Sequence, residues 1–288
     1  MARHPTILVT GAAGKTGLAV IRALAARGAK VNALTRHAAQ AESVRQAGAV
    51  HVIAGDLADA RFVSKAMEGA DAVYLLLPNV HPNETALGLI ALVAAKKNGL
   101  RSLVYHSVLF PQIEAMPHHW QKLRVEEALI QSGLAFTILQ PASYMQNIAP
   151  SWKEINATGL YRVPYSIDAE FSPIDLRDVA VAACHCLLEP AHAGAMYQLA
   201  GPERLTPKDM AREVGHSLGR AVKAVQQPLD VWSESANAAG LTGYAIETLN
   251  KMFVYYDQHG LSSSAQTLEY LLGRRATTFG EYLETLAG

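Results

Sequence analysis

The sequence predicts an α/β protein: a Rossmann-type doubly wound parallel sheet with a smaller, interleaved C-terminal α/β region. Three observations carry that expectation. A short apolar run, Ile7-Leu8-Val9, leads straight into a glycine-rich turn. Behind the turn, Leu18-Ala19-Val20-Ile21 and Leu24-Ala25 recur with helical spacing up to Gly28, and Val31-Asn32-Ala33-Leu34 reads as a second strand. Strand-like and helix-like segments then keep alternating as far as Pro141, the pattern of βαβ units stacking into a parallel sheet.

The elements follow in order. A polar helix spans Ala38 to Ala47 and stops at Gly48. Val50 to Ala54 is the third strand, closed by Gly55-Asp56-Leu57. Ala60 to Met67 is helical, and Ala72 to Leu77 is a fourth strand stopped by Pro78, which lacks the N–H a ladder needs. Thr85 to Asn98 is a strongly apolar helix ended by Gly99, Leu103 to Ser107 a fifth strand, and Gln121 to Gln131 the next helix. Phe136 to Leu139 is the sixth strand, ended by Pro141. Beyond Ser143 the alternation loosens into short strands at Gly159 to Val163 and Phe171 to Ile174, a helix from Asp175 to Leu188, and a strand at Met196 to Leu199. Thr206 then caps a helix from Pro207 to Leu218, and the remainder reads as mostly helical with a break at Gly240. The expected division is a dinucleotide-binding domain over 1–150 and a smaller substrate-binding region over 151–288, of which 172–200 packs back on the first.

Half of the 288 residues are hydrophobic, enough for a large core, and 25 basic residues balance 25 acidic ones. That balance argues against a nucleic-acid partner or an anionic membrane surface. The longest apolar run, Ala86 to Ala95, is shorter than a bilayer span and ends in Lys96-Lys97. The first strand begins by Thr6, which leaves no room for a signal peptide before it. Cys184 and Cys186 stand two apart on a helical stretch and do not face each other, so buried thiols are expected rather than a disulfide or a metal site. This fits a reducing cytoplasm, the expected location.

The glycines are spaced Gly11-x-x-Gly14-x-x-Gly17. Gly11 permits the tight turn, Gly14 lets backbone approach a pyrophosphate, and Gly17 permits close packing of helix on sheet. The following helix N-terminus offers N–H groups and a partial positive charge to phosphates. A P-loop is excluded, because the gap it requires between its first and second glycines is absent. This spacing resembles the short-chain dehydrogenase/reductase superfamily. Arg36 ends the second strand, and no acid lies between Val31 and Gln40. An acid there would bind a ribose 2′-hydroxyl, whereas an arginine accommodates a 2′-phosphate. NADP(H) is therefore expected over NAD(H), a solvated surface arginine being the plain alternative.

Further stretches narrow the resemblance. Gly55-Asp56-Leu57, Thr137-Ile138-Leu139-Gln140-Pro141 with Tyr144-Met145-Gln146-Asn147, Ile174-Asp175-Leu176-Arg177-Asp178-Val179-Ala180, and Tyr256-Asp257-Gln258-His259-Gly260-Leu261 with Leu272-Gly273-Arg274 together resemble the NmrA-like branch of the atypical short-chain dehydrogenase/reductases. The resemblance covers nearly the whole chain. It implies a Rossmann domain, a small substrate domain, an NADP(H) or NAD(H) cofactor and a divided function. Some members reduce quinones, dyes or phenolic double bonds; others bind the cofactor without turnover and act as redox sensors through protein partners. It implies cofactor contacts from Thr10, Gly11, Ala13, Gly14, Lys15, Thr16 and Gly17, and adenine contacts from Asp56 and Leu57, although a turn or helix cap is the plain reading of Asp56. Leu76, Leu77 and Pro78 would line the cofactor, with Pro141 and Tyr144 beside it and Tyr144 and Asn147 toward the substrate.

The superfamily's catalytic centre is usually Ser with Tyr-x-x-x-Lys. Ser107 closes the fifth strand, and His118-His119-Trp120-Gln121-Lys122 puts His118 where the tyrosine would stand. Residues four apart share a helix face, so His118 and Lys122 point at one site if the helix starts early enough. A tyrosine beside a lysine is a proton donor tuned by charge, whereas a histidine titrates near neutrality by itself. His118 is thus a replacement general acid, the mark of lost chemistry, or a plain loop histidine. Lys122 is expected to hydrogen-bond the nicotinamide ribose. Three functions follow: a reductase of small quinone-like or conjugated carbonyl acceptors, a non-catalytic NADP(H)-sensing regulator, or a nucleotide-sugar epimerase or dehydratase, which normally needs the tyrosine. Fold does not choose among them. The reductase is the expectation, because hydride transfer is the cofactor's own chemistry and a quinone needs little proton help. A homodimer or a protein partner stays open, and no metal is expected.

Overall fold

The computed structural model describes residues 4–287. The chain forms β1 (Thr6–Val9), α1 (Lys15–Ala26), β2 (Lys30–Thr35), α2 (Ala41–Gln46), β3 (His51–Ala54), α3 (Ala60–Ala66), β4 (Ala72–Leu75), α4 (Glu84–Lys97), β5 (Ser102–His106), α5 (Pro117–Gln131) and β6 (Phe136–Pro141). Then come α6 (Trp152–Thr158), β7 (Leu160–Val163), α7 (Leu176–Leu188), β8 (Ala195–Leu199), α8 (Pro207–Leu218) and β9 (Lys223–Gln226). Four helices close the chain: α9 (Leu229–Ala238), α10 (Gly243–His259), α11 (Gln266–Leu272) and α12 (Phe279–Ala287). Two compact units result. One holds the described chain through Gln112, then His119–Gln140 and Val179–Tyr197; the other holds Ile113–His118, Pro141–Asp178 and the chain from Gln198 onward.

The large sheet has seven strands in the order β3-β2-β1-β4-β5-β6-β8. β1 pairs in parallel with both β2 and β4, with Ile7 opposite Val31 on one side and Ala72 on the other. β2–β3, β4–β5 and β5–β6 are parallel as well. The chain therefore reverses its direction of travel across the sheet between β1 and β4. The carboxyl ends of those two strands form the switch point where such sheets bind ligands. Parallel strands need long crossovers, which the helices supply. Leu8, Val73, Leu75, Leu103, Tyr105 and Ile138 pack with Val63 and Ala66 of α3, Leu87, Ala91 and Leu92 of α4, and Val125 and Leu129 of α5. All four residues of β4 are buried, as expected of a strand covered on both faces. A Cβ on Gly88 would fall 2.5 Å from Val125 Cγ2, so α4 and α5 approach as closely as they do because position 88 is glycine.

The structure corrects several boundaries. α5 begins at Pro117 rather than Gln121, because proline at a first helical position loses only an N–H that would be orphaned there. β4 ends two residues early, at Leu75: Leu76 turns instead to Thr10, whose hydroxyl accepts from Leu76 N and donates to Leu76 O, both at 2.8 Å. Phe171–Ile174 forms isolated bridges to Leu205, Leu261 and Tyr144 and no strand, since Pro173 has no N–H for a ladder. The expected polar helix from Ala38 splits into a 3-10 turn and α2. Two elements were not expected: α6, and β9, which pairs in parallel with β7 as a two-stranded sheet. Thr206 does cap α8, accepting from Asp209 N at 3.2 Å. Cys184 and Cys186 are buried and unpaired, and burial pushes both thiols up to about 12. No helix among the described residues is long and apolar enough to cross a membrane.

Candidate active site

The β1–α1 turn is fixed by its neighbours. Thr10 N donates to Tyr74 O at 3.1 Å, and Ala12 N donates to Leu34 O at 3.2 Å. Gly11 has φ +57°, a conformation L side chains rarely adopt, and a Cβ there would crowd Leu76 at 3.1 Å. A Cβ on Gly17 would lie 2.5 Å from Gly11 O and 2.6 Å from Ala12 Cα. Gly17 thus makes room for the turn's own backbone rather than for the sheet. Gly14 is the N-cap of α1, with extended backbone; it supplies no side-chain cap, and the first turn holds no acid. Ala13 is half-buried, Gly14 and Lys15 are exposed, and Thr16 is buried. A helix N-terminus bare of acid, behind a tight glycine turn, fits an anionic group such as a pyrophosphate.

The neighbouring strand ends complete this edge. Arg36 is exposed one residue beyond β2. Asp56 is exposed after β3, and its carboxylate accepts from Ala58 N at 3.0 Å, closing the turn. Leu57 and Leu77 send their side chains into the core, while Leu76 is half-buried and Pro78 exposed. Pro141 is buried at the last position of β6. Tyr144, half-buried, bridges Ile174, and Asn147, exposed, donates its N–H to Tyr144 O at 3.0 Å. Tyr144 and Asn147 belong to the second unit.

A polar cluster lies where β5, α4, α5 and β6 meet. The close approach at Gly88 and Val125 sets Glu84 and Lys122, each about one turn earlier on its helix, side by side. Thr85 reinforces the contact, its N–H donating to Gln121 Oε1 and its hydroxyl to Gln121 O, both at 3.3 Å. Lys122 Nζ donates to Glu84 Oε1 at 2.5 Å, and the two side chains are 6% and 0% exposed. Glu84 Oε2 and the Tyr105 hydroxyl are buried without a hydrogen-bond partner among the described residues. The Ser107 hydroxyl donates to Glu126, and Gln140 Nε2 donates to both Glu126 oxygens at 3.0 Å. Burial raises the Glu126 carboxyl above its usual range, opposed by those bonds and by the charge of Lys122.

Two imidazoles here, His106 and His119, are buried bases held neutral. His106 is hydrogen-bonded to the Tyr74 hydroxyl; burial, helped by the charge of Lys122, lowers it to about 3. His119 donates from Nδ1 to Phe110 O at 3.3 Å, and burial lowers it to about 4. His118 is buried as the second residue of α5, so the early helix start places it one turn before Lys122 on the same helix face. The division between units falls just after His118. No group of three His, Cys, Asp or Glu side chains able to hold a metal ion occurs among the described residues.

The first unit therefore unites the glycine turn, Arg36, Asp56, Ser107 and Lys122. Glu84, Glu126, Tyr74, His106 and His119 were missed as site residues. Glu126 had a signal, standing four residues after Lys122 on one helix face. Glu84 had a weaker one, as the single acid of α4, whose middle is apolar.

Strand order, switch point and uncapped helix N-terminus together define a Rossmann-type α/β protein. More narrowly, the chain belongs to the NmrA-like family, whose sequence profile matches residues 3–283. It is 28% identical over 286 residues to an NAD(P)H azoreductase of Xenophilus azovorans, spanning 98% of both chains. The fold is shared with the NADPH complex of an NADPH-dependent quinone oxidoreductase from Escherichia coli, at TM-score 0.86 and 24% identity over 98% of this chain and 100% of that one. It is also shared with NmrA, a negative transcriptional regulator, in complex with NADP, at TM-score 0.82 and 20% identity over 98% and 95%.

Proposed function

We propose that this chain is an NADPH-dependent reductase that transfers hydride to a small quinone-like or conjugated carbonyl acceptor. The observation that carries this reading is the ligand-ready end of the first unit: an α1 N-terminus without acid or side-chain cap, and an exposed Arg36 with no acid beside it. Relatives named as an azoreductase and a quinone oxidoreductase support it. The Thr10–Gly17 turn would hold the pyrophosphate through backbone N–H groups, Arg36 the 2′-phosphate, and Asp56 the adenine edge. Leu57, Leu76, Leu77 and Pro78 would line the cofactor, Leu57 and Leu77 through backbone. Lys122 would hydrogen-bond the nicotinamide ribose. NADPH, when bound, supplies the hydride.

The chain's own part is orientation. Holding donor and acceptor in register lowers a barrier without acid catalysis, and a quinone gains little from a proton donor. Ser107, with its hydroxyl proton committed to Glu126, would present oxygen lone pairs to its surroundings, and His118 at most assists proton delivery. Dinucleotide binding is proposed for the first unit, and acceptor binding, through Tyr144 and Asn147, for the second. The proposed setting is the cytoplasm, which two unpaired cysteines suit, with a small molecule rather than nucleic acid as partner.

One observation favours a second reading, a regulator that senses NADP(H) through a protein partner or a homodimer. His118 replaces the usual tyrosine, and both Lys122 and Ser107 are tied to buried carboxylates. Steady-state NADPH oxidation with a panel of quinones separates the two. The reductase shows acceptor-dependent turnover that drops in Lys122→Ala; tight NADPH binding without oxidation of any acceptor favours the regulator.

A further inference from the structure

We infer that Glu84 is a positioning residue for the cofactor site, holding the Lys122 side chain where it meets the nicotinamide ribose. The inference rests on the NADPH reading above and adds to it a residue outside the glycine turn and outside the Ser, His and Lys set. Three observations point the same way. The Lys122–Glu84 pair is buried on both sides, so solvent does not screen it. Its geometry is set by a close approach of two helices, at Gly88 and Val125, and braced by the bonds of Thr85 to Gln121. Lys122 Nζ has three donors and Glu84 Oε1 takes one, which leaves the ammonium able to donate to a ligand while its charge stays compensated.

The other groups electrostatically coupled to this pair do not substitute for Glu84. His106 on β5 and His119 on α5 are held neutral by burial, and Lys122's charge lowers both further. The Tyr105 hydroxyl is pushed well above its ordinary value by burial and by the charges of Glu84 and Glu126. Glu126 already accepts from Ser107 and Gln140. His118, one turn before Lys122, is a base rather than a counter-ion. Glu84 is the carboxylate that directly hydrogen-bonds the ammonium.

The test is calorimetric titration of NADPH into the parent protein and into Glu84→Gln, Lys122→Met and the double variant, between about pH 6 and pH 8. Glu84→Gln keeps the shape and an acceptor oxygen but removes the charge. Without the carboxylate the lysine is no longer held at the ligand, so the affinity ratio of parent to Glu84→Gln is about tenfold across this range. Titration of the NADPH 2′-phosphate affects every protein alike and cancels in the ratio. Because Glu84 acts through Lys122, the double variant binds no more weakly than Lys122→Met alone, and it melts no lower than Glu84→Gln, since charge and counter-ion leave together. Should Glu84→Gln fail to fold, the comparison of Lys122→Met with the double variant decides. A double variant clearly weaker than Lys122→Met overturns the inference, as does Glu84→Gln with the parent's affinity at every pH. A parent that binds no NADPH overturns the cofactor reading together with it.

Discussion

Replacing Gly17 by alanine tests whether the β1–α1 turn is as tight as its contacts imply. Position 17 lies inside α1, where alanine is normally favoured over glycine by about 1 kcal/mol. Here the added Cβ would meet Gly11 O at 2.5 Å, Ala12 Cα at 2.6 Å and Ala12 O at 2.7 Å. All three are backbone atoms, so no rotamer change relieves them. Overpacking of this kind costs about 1–3 kcal/mol, with the rigid backbone favouring the upper part of that range. The net expectation is a loss of about 1–2 kcal/mol, which at about 2–4 °C per kcal/mol lowers the melting temperature by about 2–8 °C. The turn moves with it, so the rise in melting temperature on adding NADPH shrinks too. Gly14→Val is the control: its Cβ would meet Gly11 O at 3.4 Å, ordinary contact, but its branches occupy the space a pyrophosphate needs. That variant keeps the parent's circular dichroism and melting temperature and loses the NADPH-dependent rise. A Gly17→Ala protein that melts at or above the parent would refute the packing argument. A Gly14→Val protein with the full NADPH rise would refute the placement of the phosphates.

Further expectations follow from the same site. Arg36→Ala weakens NADPH by about tenfold to a hundredfold, the worth of a charge-assisted bond, and leaves NADH unchanged; equal losses for both cofactors in calorimetry would remove Arg36 from the 2′-phosphate. His118→Ala slows quinone turnover by less than about a hundredfold, the lower limit for general acid catalysis, with a pH profile little changed; a larger loss makes His118 the acid. His106 and His119, held near 3 and 4, refuse protons that the unfolded chain accepts below about 6.5. Stability is therefore complete above that pH and falls as pH drops, by about 1.4 kcal/mol per pH unit for each imidazole. Melting scans from pH 7 to pH 5 should show it, with a shallower slope in His119→Gln. Cys184 and Cys186, pushed to about 12, should react with a thiol reagent at neutral pH only on unfolding.

The first unit was legible because its signals are local. A strand, a glycine turn and an amphipathic helix declare themselves within a few residues, and repetition fixes a parallel sheet. Boundaries failed where tertiary bonds decided them: Leu76 left the ladder for the Thr10 hydroxyl, and Pro117 opened α5 four residues early. β9 was invisible, being four residues long and stable only against β7. In the site, residues with a motif were found, whereas Glu84 was not. Its pairing with Lys122, 38 residues away, depends on a close helix approach at Gly88 that no local pattern announces. The burial that turns His106 and His119 into neutral bases likewise arises only in the folded packing.

The central claim, that this chain orients NADPH for hydride transfer, is tested most directly by a single turnover. Protein loaded with NADPH is mixed rapidly with a simple quinone, once with ordinary cofactor and once with cofactor deuterated at the transferred position. Hydride transfer predicts rapid loss of NADPH absorbance that slows on deuteration. NADPH that stays bound and unoxidised, or oxidation at the same rate with either isotope, would contradict it.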